Sequence, residues 1–228
     1  MRIVAVFVAS LLVAGCSLVG NRAAQTTTSA SPSTSAKGAA AAPPTTKPPV
    51  RPTAPQPGTP ISDVIAWIEA ARPADAGRYH SATRDGAATD LGQDVAFTAP
   101  DRNVRCTTDS KHTGAALSCL VRLTNPPPRP AAVYGEWLSG WVDFDGTSVQ
   151  VGSAHGDPGP FINGDGPELP SGKSLAFGDF RCRTDQIGVF CVNYAHRSAV
   201  RFAAAGIEPF GCLQPVPPPE GVGEKFSC

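Results

Sequence analysis

The pattern of apolar and polar positions divides the chain beyond residue 58 into one helix and a β-rich remainder. Apolar side chains recur at the spacing of a helix face, at Ile61, Val64, Ile65, Ile68 and Ala71. Thr59 is placed to cap this helix, Pro60 suits its first position, and Pro73 ends it. Trp67 lies beside the apolar stripe. We therefore expect one amphipathic helix that packs on the core; a partner-binding or membrane-surface helix is the alternative.

The chain beyond Asp90 has no long helical periodicity. Short segments of strand character are separated by clusters of Gly, Pro, Asn and Asp. The predicted strands include Asp94–Thr98, Leu117–Leu123, Glu136–Phe144, Ser148–Gly152 and Ile187–Asn193. This pattern predicts an α+β fold, in which the N-terminal amphipathic helix packs on an antiparallel β-sheet or small barrel with disulfide-linked hairpins.

The first residues have the pattern of an export signal. Arg2 precedes an apolar run from Ile3 to Val13, which is too short to span a bilayer comfortably. The run Leu12-Val13-Ala14-Gly15-Cys16 resembles the bacterial lipobox, which implies cleavage before Cys16 and lipidation of its thiol. An ordinary signal peptide with a chance cysteine is the alternative. We expect residues 1–15 to be the signal peptide and the exported protein to be lipid-anchored at the outer face of the cell membrane.

The composition of residues 16–58 differs from that of the rest. After Cys16, this segment consists mainly of Ala, Ser, Thr and Pro and has almost no large apolar residue. Such a segment cannot bury enough apolar surface to offset its ordering entropy, so we expect a disordered tether. Residues 59–228 then form a single extracytoplasmic domain. The net charge of +0 gives no basis for a nucleic-acid partner.

The cysteines are expected to form three local disulfides. Cys16 carries the lipid, and the six that remain lie in an oxidising compartment. Two stretches of the chain are alike, and each precedes a second strand that carries a cysteine. They are Val104-Arg105-Cys106-Thr107-Thr108-Asp109 and Phe180-Arg181-Cys182-Arg183-Thr184-Asp185. Cysteines that face one another across antiparallel strands lie near disulfide distance. Fifteen connectivities exist for six cysteines. Locality and the repeat favour Cys106–Cys119, Cys182–Cys191 and Cys212–Cys228.

These hairpins also resemble a family pattern. The first half of a cysteine-hairpin domain of exported actinobacterial proteins is matched at Phe97, Pro100, Asn103, Val104 and Cys106. The second half is matched at Leu169-Pro170-Ser171-Gly172, Phe180-Arg181-Cys182 and Gly188-Val189-Phe190-Cys191. Asp101 and Arg102 depart from the Ser-Gly pair of that pattern. With its lipobox and Thr- and Pro-rich tether, the chain resembles the mycobacterial Lpp-type lipoproteins, a resemblance that implies no catalytic residues.

No familiar catalytic motif is present, so we expect no catalytic residue, no cofactor and no metal site. The histidines available as bases are His80, His112, His155 and His196. A hydrolase would bring His155 or His196 within hydrogen-bond reach of a serine and an acid in a pocket. The loop Gly156–Gly166, with Asp143 and Asp145, would supply oxygen ligands to calcium, but it lacks EF-hand spacing, and a turn-rich loop is favoured.

Two sets of residues are candidates for a binding face; for the arginines, a solvated strand face is the favoured alternative. Arg181 and Arg183 flank Cys182 at strand spacing, so both should project from the face opposite the cysteine, and Arg197 and Arg201 follow nearby. Trp137 and Trp141 are expected on one strand face, where burial is the favoured interpretation and a carbohydrate-stacking platform is the alternative. We therefore expect a membrane-anchored, non-enzymatic binding or scaffold module. Its partners would be the membrane, through the lipid anchor, and an envelope lipid, glycan or protein. A small hydrolase of envelope lipid or glycan is the alternative.

Overall fold

The structure, a computed structural model, describes residues 53–131 and 133–228. Cys16, the predicted signal peptide and most of the predicted tether lie outside these residues. The helical elements are α1 (Ile61–Glu69) and two short 3-10 turns, Ala76–Tyr79 and Gly159–Asn163. The strands are β1 Arg72–Pro73, β2 Ser81–Arg84, β3 Ala87–Asp90, β4 Ala96–Thr98, β5 Val104–Thr108, β6 Leu117–Val121, β7 Glu136–Phe144, β8 Ser148–His155, β9 Lys173–Phe177, β10 Phe180–Asp185, β11 Gly188–Asn193, β12 Ser198–Ala203, β13 Gly206–Phe210, β14 Gln214–Val216 and β15 Val222–Ser227.

The strands form two large sheets and a small hairpin. The six-stranded sheet has the order β1-β9-β10-β11-β12-β13, and the seven-stranded sheet has the order β14-β15-β8-β7-β6-β5-β4. The hairpin is β2-β3. The ladders are antiparallel except for β1 beside β9. Within the described residues neither large sheet closes into a barrel, so of the two predicted alternatives the fold is the open antiparallel sheet.

The core lies between the two large sheets. One apolar cluster contains Phe97 and Phe144 from the seven-stranded sheet together with Phe180 and Phe202 from the six-stranded sheet. The rings of Phe144 and Phe180 meet edge to face across it, with centroids 5.4 Å apart. The two sheets therefore pack as a sandwich and bury their facing side chains.

The helix begins one residue later than the sequence indicated. Pro60 occupies the capping position, and its carbonyl accepts hydrogen bonds from the amides of Asp63 (2.9 Å) and Val64 (3.1 Å). The Thr59 hydroxyl does not cap the helix but accepts from the Gln56 amide in the preceding turn. Asp63 places a negative charge in the first turn, where the helix dipole favours it.

The buried face of α1 covers the outer side of the six-stranded sheet. Val64, Trp67 and Ile68 are buried in a second apolar cluster with Phe190 and Phe210. The Trp67 and Phe190 rings meet edge to face at 4.7 Å. The six-stranded sheet is thus covered on both faces, by the core on one side and by the helix on the other.

The last residues of the predicted tether take part in this packing. Pro55 is buried, and Ala54 packs against the second apolar cluster beside α1. The packed part of the chain therefore includes residues before the predicted domain start at Thr59. Among the described residues, no helix is long and apolar enough to cross a membrane.

The six cysteines pair as the sequence predicted. Cys106 lies directly opposite Cys119 in the β5-β6 ladder, and Cys182 lies opposite Cys191 in the β10-β11 ladder. Their Cα atoms are 4.1 Å and 4.0 Å apart. Cys212 pairs with Cys228 at a Cα distance of 4.7 Å. The first two disulfides face the shared core, one from each sheet.

Candidate functional site

The strongest candidate site is a groove on the outer face of the seven-stranded sheet. We call it the arginine groove, and it has a volume of about 260 Å³. Its polar lining is Arg102, Arg105, Arg122, Trp137 and Ser139. No carboxylate is among its described lining residues. The arginine groove therefore presents three guanidinium groups beside an indole ring.

Register explains why Arg105 points into the arginine groove. Its neighbours Val104 and Cys106 are buried in the core, and side chains alternate along a strand, so Arg105 points to the opposite face. Across the sheet it lies opposite Leu120, which in turn lies opposite Trp141. The strand pattern thus fixes the direction of this guanidinium.

One carboxylate holds two of the three arginines. Asp165 accepts from Arg105 Nη1 at 2.7 Å and from Arg102 Nη2 at 3.0 Å. Its backbone is clamped to Thr83 by two hydrogen bonds of 2.8 and 3.0 Å, which fixes the carboxylate. Arg122 is exposed, and no described residue accepts a hydrogen bond from its side chain. One carboxylate against three guanidinium groups leaves the arginine groove with unneutralised positive charge.

Arg102 occupies a strained backbone conformation. Its φ is +57°, in the left-handed region that costs an L-residue other than glycine roughly 1–2 kcal/mol. The neighbouring Asp101 accepts hydrogen bonds from the amide and side chain of Asn103, which closes the turn around Arg102. The side chain of Arg102 is 67% exposed at the rim of the arginine groove. An arginine held in a position suited to glycine marks this turn as a functional candidate.

A bulge in β7 shapes the other side of the arginine groove. Leu138 pairs with Ser153 and Val142 with Val151, so three residues of β7 oppose one residue of β8. Within the bulge, a side chain on Gly140 would collide with the carbonyl oxygen of Val121. Glycine is therefore needed for β7 to approach β6 this closely.

Trp137 is half-buried beside the bulge. Its ring lies over Gly152, where a Cβ atom would come within 2.6 Å of the indole. The buried Nε1 of Trp137 has no hydrogen-bond partner among the described residues. An unpaired buried donor costs about 1–3 kcal/mol, so this N–H is an unsatisfied group in the packing beside the arginine groove.

The two predicted tryptophans differ in exposure, although both lie on the outer face of the seven-stranded sheet. Trp141 lies opposite Leu120, which lies opposite Arg105, and Trp137 lines the arginine groove together with Arg105. Trp141 is only 2% exposed and stacks on His155, with centroids 3.6 Å apart. Its indole N–H donates to Asp143 at 2.9 Å. Trp141 is thus buried, as the favoured expectation had it, and of the two tryptophans only Trp137 lines the arginine groove.

The four predicted arginines do not form one free patch. In the ladders, Arg183 and Arg201 both lie opposite Phe190, so they share with Arg181 the sheet face that carries α1. Cys182 faces the core instead, as predicted. Arg197 lies apart in the exposed turn between β11 and β12, with a φ of +49°.

The contacts of Arg183 hold α1 against the six-stranded sheet. Its guanidinium lies 3.5 Å from the centroid of the Trp67 ring, donates to the Trp67 carbonyl and pairs with Asp185 at 3.5 Å. The side chain is 12% exposed, and burial lowers the pKa of Arg183 while Asp185 raises it. This arginine fastens α1 to the sheet, so its described contacts are structural.

The described histidines make no contact with a serine hydroxyl. His112 pairs with Asp109 at 2.7 Å on the surface, and His80 contacts the Asp94 carbonyl at 2.9 Å. Ser118 donates to Asp143 at 2.6 Å, but no described hydrogen bond joins it to His155. Burial lowers the pKa of His155, and the charges of Asp143 and Asp157 partly oppose this.

The candidate calcium carboxylates are engaged locally. Asp145 accepts from the amides and hydroxyls of Thr147 and Ser148. Burial acts to raise the pKa of Asp145, and these hydrogen bonds outweigh it and lower the pKa. Within residues 53–131 and 133–228, no group of three or more His, Cys, Asp or Glu side chains is placed to hold a metal ion.

No protein-family model, no curated protein and no solved structure matches this chain.

Sequence reasoning missed two of the three arginines of the groove. The repeat aligns Arg105 with Arg181, but no spacing relation joins Arg102 and Arg122 to Arg105. The turn at residues 101–103 and the end of β6 bring them together. The one available signal was Arg102 itself, a bulky residue where the cysteine-hairpin pattern has glycine.

Proposed function

We propose that this protein is an exported lipoprotein, anchored through Cys16 at the outer face of the cell membrane. Its folded part serves as a non-enzymatic binding module. The lipobox-like run before Cys16 supports the anchor. The three disulfide-distance pairs support an oxidising compartment. A tether of more than 30 residues would hold the domain away from the head groups.

The observation that carries the binding function is the arginine groove. Three guanidinium groups converge there with a single opposing carboxylate, Asp165, beside the half-buried indole ring of Trp137. Guanidinium groups bind carboxylate and phosphate oxygens through paired hydrogen bonds. The ligand class is therefore an envelope molecule that carries an oxyanion, such as an anionic lipid head group or glycan.

Titration of the full-length protein in neutral detergent with inorganic phosphate tests this function. The NMR signal of the Trp137 indole N–H should shift, while those of Trp67 and Trp141 serve as internal references. Arg122→Gln should weaken phosphate binding about tenfold, and Arg78→Gln, at an exposed arginine outside the arginine groove, should leave it unchanged. Absence of any shift with phosphate, or an equal response in the two variants, would refute a binding site here.

The anchor is tested separately. Inhibition of the lipoprotein signal peptidase in the native host should accumulate an uncleaved precursor, and Cys16→Ser should do the same without inhibitor. Normal processing of the wild-type chain in the presence of inhibitor would contradict lipidation at Cys16.

A small hydrolase of envelope lipid or glycan is the second candidate. The neighbourhood of Ser118, Asp143 and His155 is the observation that favours it, although Ser118 is fully buried. Ester hydrolysis that is abolished by Ser118→Ala and unaffected by Arg122→Gln would favour the hydrolase over the binding module.

A further inference from the structure

The arginine groove has two chemically different halves. Arg122 and the exposed part of Arg102 form a cationic half, and the half-buried ring of Trp137 forms an aromatic half. A simple anion would use only the first half. A ligand that uses both must carry a charged group next to an apolar or C–H-rich surface.

The volume limits what fits. About 260 Å³ lies just below the range of pockets that enclose drug-sized molecules. It therefore suits a single ring unit better than a folded peptide segment. The polar lining of arginines and Ser139 favours a ring that is rich in hydroxyl groups, because hydroxyl oxygens accept from guanidinium groups.

The contacts of Asp165 also show how an oxyanion is held. Asp165 receives one guanidinium on each carboxylate oxygen, from Arg102 and from Arg105, which is 39% exposed. Because Arg102 has further N–H donors and Arg122 has no described acceptor, a second oxyanion can bind beside Asp165 without displacing it.

On this basis we propose that the arginine groove recognises an acidic saccharide unit. The sugar ring rests on Trp137, and its carboxylate or phosphate binds Arg122 and Arg102. The C–H bonds of a sugar ring carry partial positive charge and pack on the electron-rich face of an indole. The inference rests on the proposed binding function, since it names the ligand class of the same site.

The experiment compares probes that carry one half of the ligand or both. Full-length protein in neutral detergent is titrated with glucuronate, glucose 6-phosphate, glucose, acetate and inorganic phosphate, and the Trp137 indole N–H signal is followed. The two acidic sugars should bind about tenfold or more tightly than glucose, and each more tightly than the matching ring-free anion.

Two variants separate the halves of the arginine groove. Trp137→Leu should remove the advantage of glucuronate over acetate yet keep the response to phosphate, followed at the Arg122 side-chain signal. Arg122→Gln should weaken the acidic sugars about tenfold. Arg78→Gln should behave as the wild type.

The outcomes distinguish this inference from the proposed function. If acetate and phosphate bind as tightly as the acidic sugars, the arginine groove is a simple anion site, and the saccharide inference fails while the binding function stands. If glucose binds as tightly as glucuronate, the acidic group is not recognised and the inference fails. If no probe binds, the proposed function itself fails at this site.

Discussion

Gly140→Ala provides a sharp test of the groove architecture. The Cβ atom would meet the carbonyl oxygen and carbon of Val121, which are backbone atoms of the neighbouring strand. Val121 ends β6, two residues after the disulfide-bonded Cys119. A flexible side chain could move aside, but this backbone cannot, so β7 must part from β6. Overpacking of this kind costs about 1–3 kcal/mol.

Thermal and urea unfolding of the full chain with intact disulfides measure this cost. For a domain of this size, each kcal/mol lowers Tm by about 2–4 °C, so the expected fall is roughly 2–12 °C. Gly156→Ala is the matched control, because no atom lies within 4 Å of its Cβ position. It should change the free energy of unfolding by less than about 0.5 kcal/mol. Equal stability of the two variants would refute the close approach of β7 to β6.

Substitutions at Arg183, Pro55 and His155 test three further contacts. Arg183→Gln should destabilise the fold by about 1–3 kcal/mol in urea unfolding because the contact with Trp67 is lost, and Arg183→Lys should restore only part of it. Pro55→Ser should lower Tm, whereas Pro57→Ser should not, because only the first proline is buried. Because burial lowers the pKa of His155, the fold favours its neutral form. Stability should therefore be complete above about pH 6.5 and decline as the pH falls below it, and His155→Gln should reduce that slope.

The disulfide pairing was predictable because it is local. Each predicted pair joins cysteines fewer than twenty residues apart, and two pairs repeat the same hairpin pattern. Period-two alternation was also predictable, as β10 shows, where Arg181 and Arg183 alternate with the buried Phe180, Cys182 and Thr184. Short separations between cysteines and period-two alternation can both be seen in the sequence, so the disulfides and such strands could be predicted from it.

The sandwich arrangement was not predictable in the same way. Residues of β12 are buried on both faces, by the core and by α1, so its sequence shows no alternation. The β2-β3 hairpin was hard to predict for the opposite reason. Both faces of β3 are exposed, so its sequence shows no apolar alternation either. The assignment of the two similar hairpins to opposite sheets depends on contacts such as Phe144–Phe180, which are remote in sequence.

The comparison of Arg105 with Arg181 shows why equivalent positions in the repeat have different uses. Each precedes a disulfide-bonded cysteine and points away from the shared core. In the six-stranded sheet that outer face receives α1, and the buried Nε of Arg181 has no described partner there. In the seven-stranded sheet no described α-helix covers the ladder at Arg105, which remains 39% exposed beside Asp165. Both arginines are half-buried, but Arg181 lies on the face that α1 covers, whereas Arg105 lines the arginine groove. If this is correct, Arg105→Gln should weaken phosphate binding with little effect on Tm, and Arg181→Gln should do the reverse.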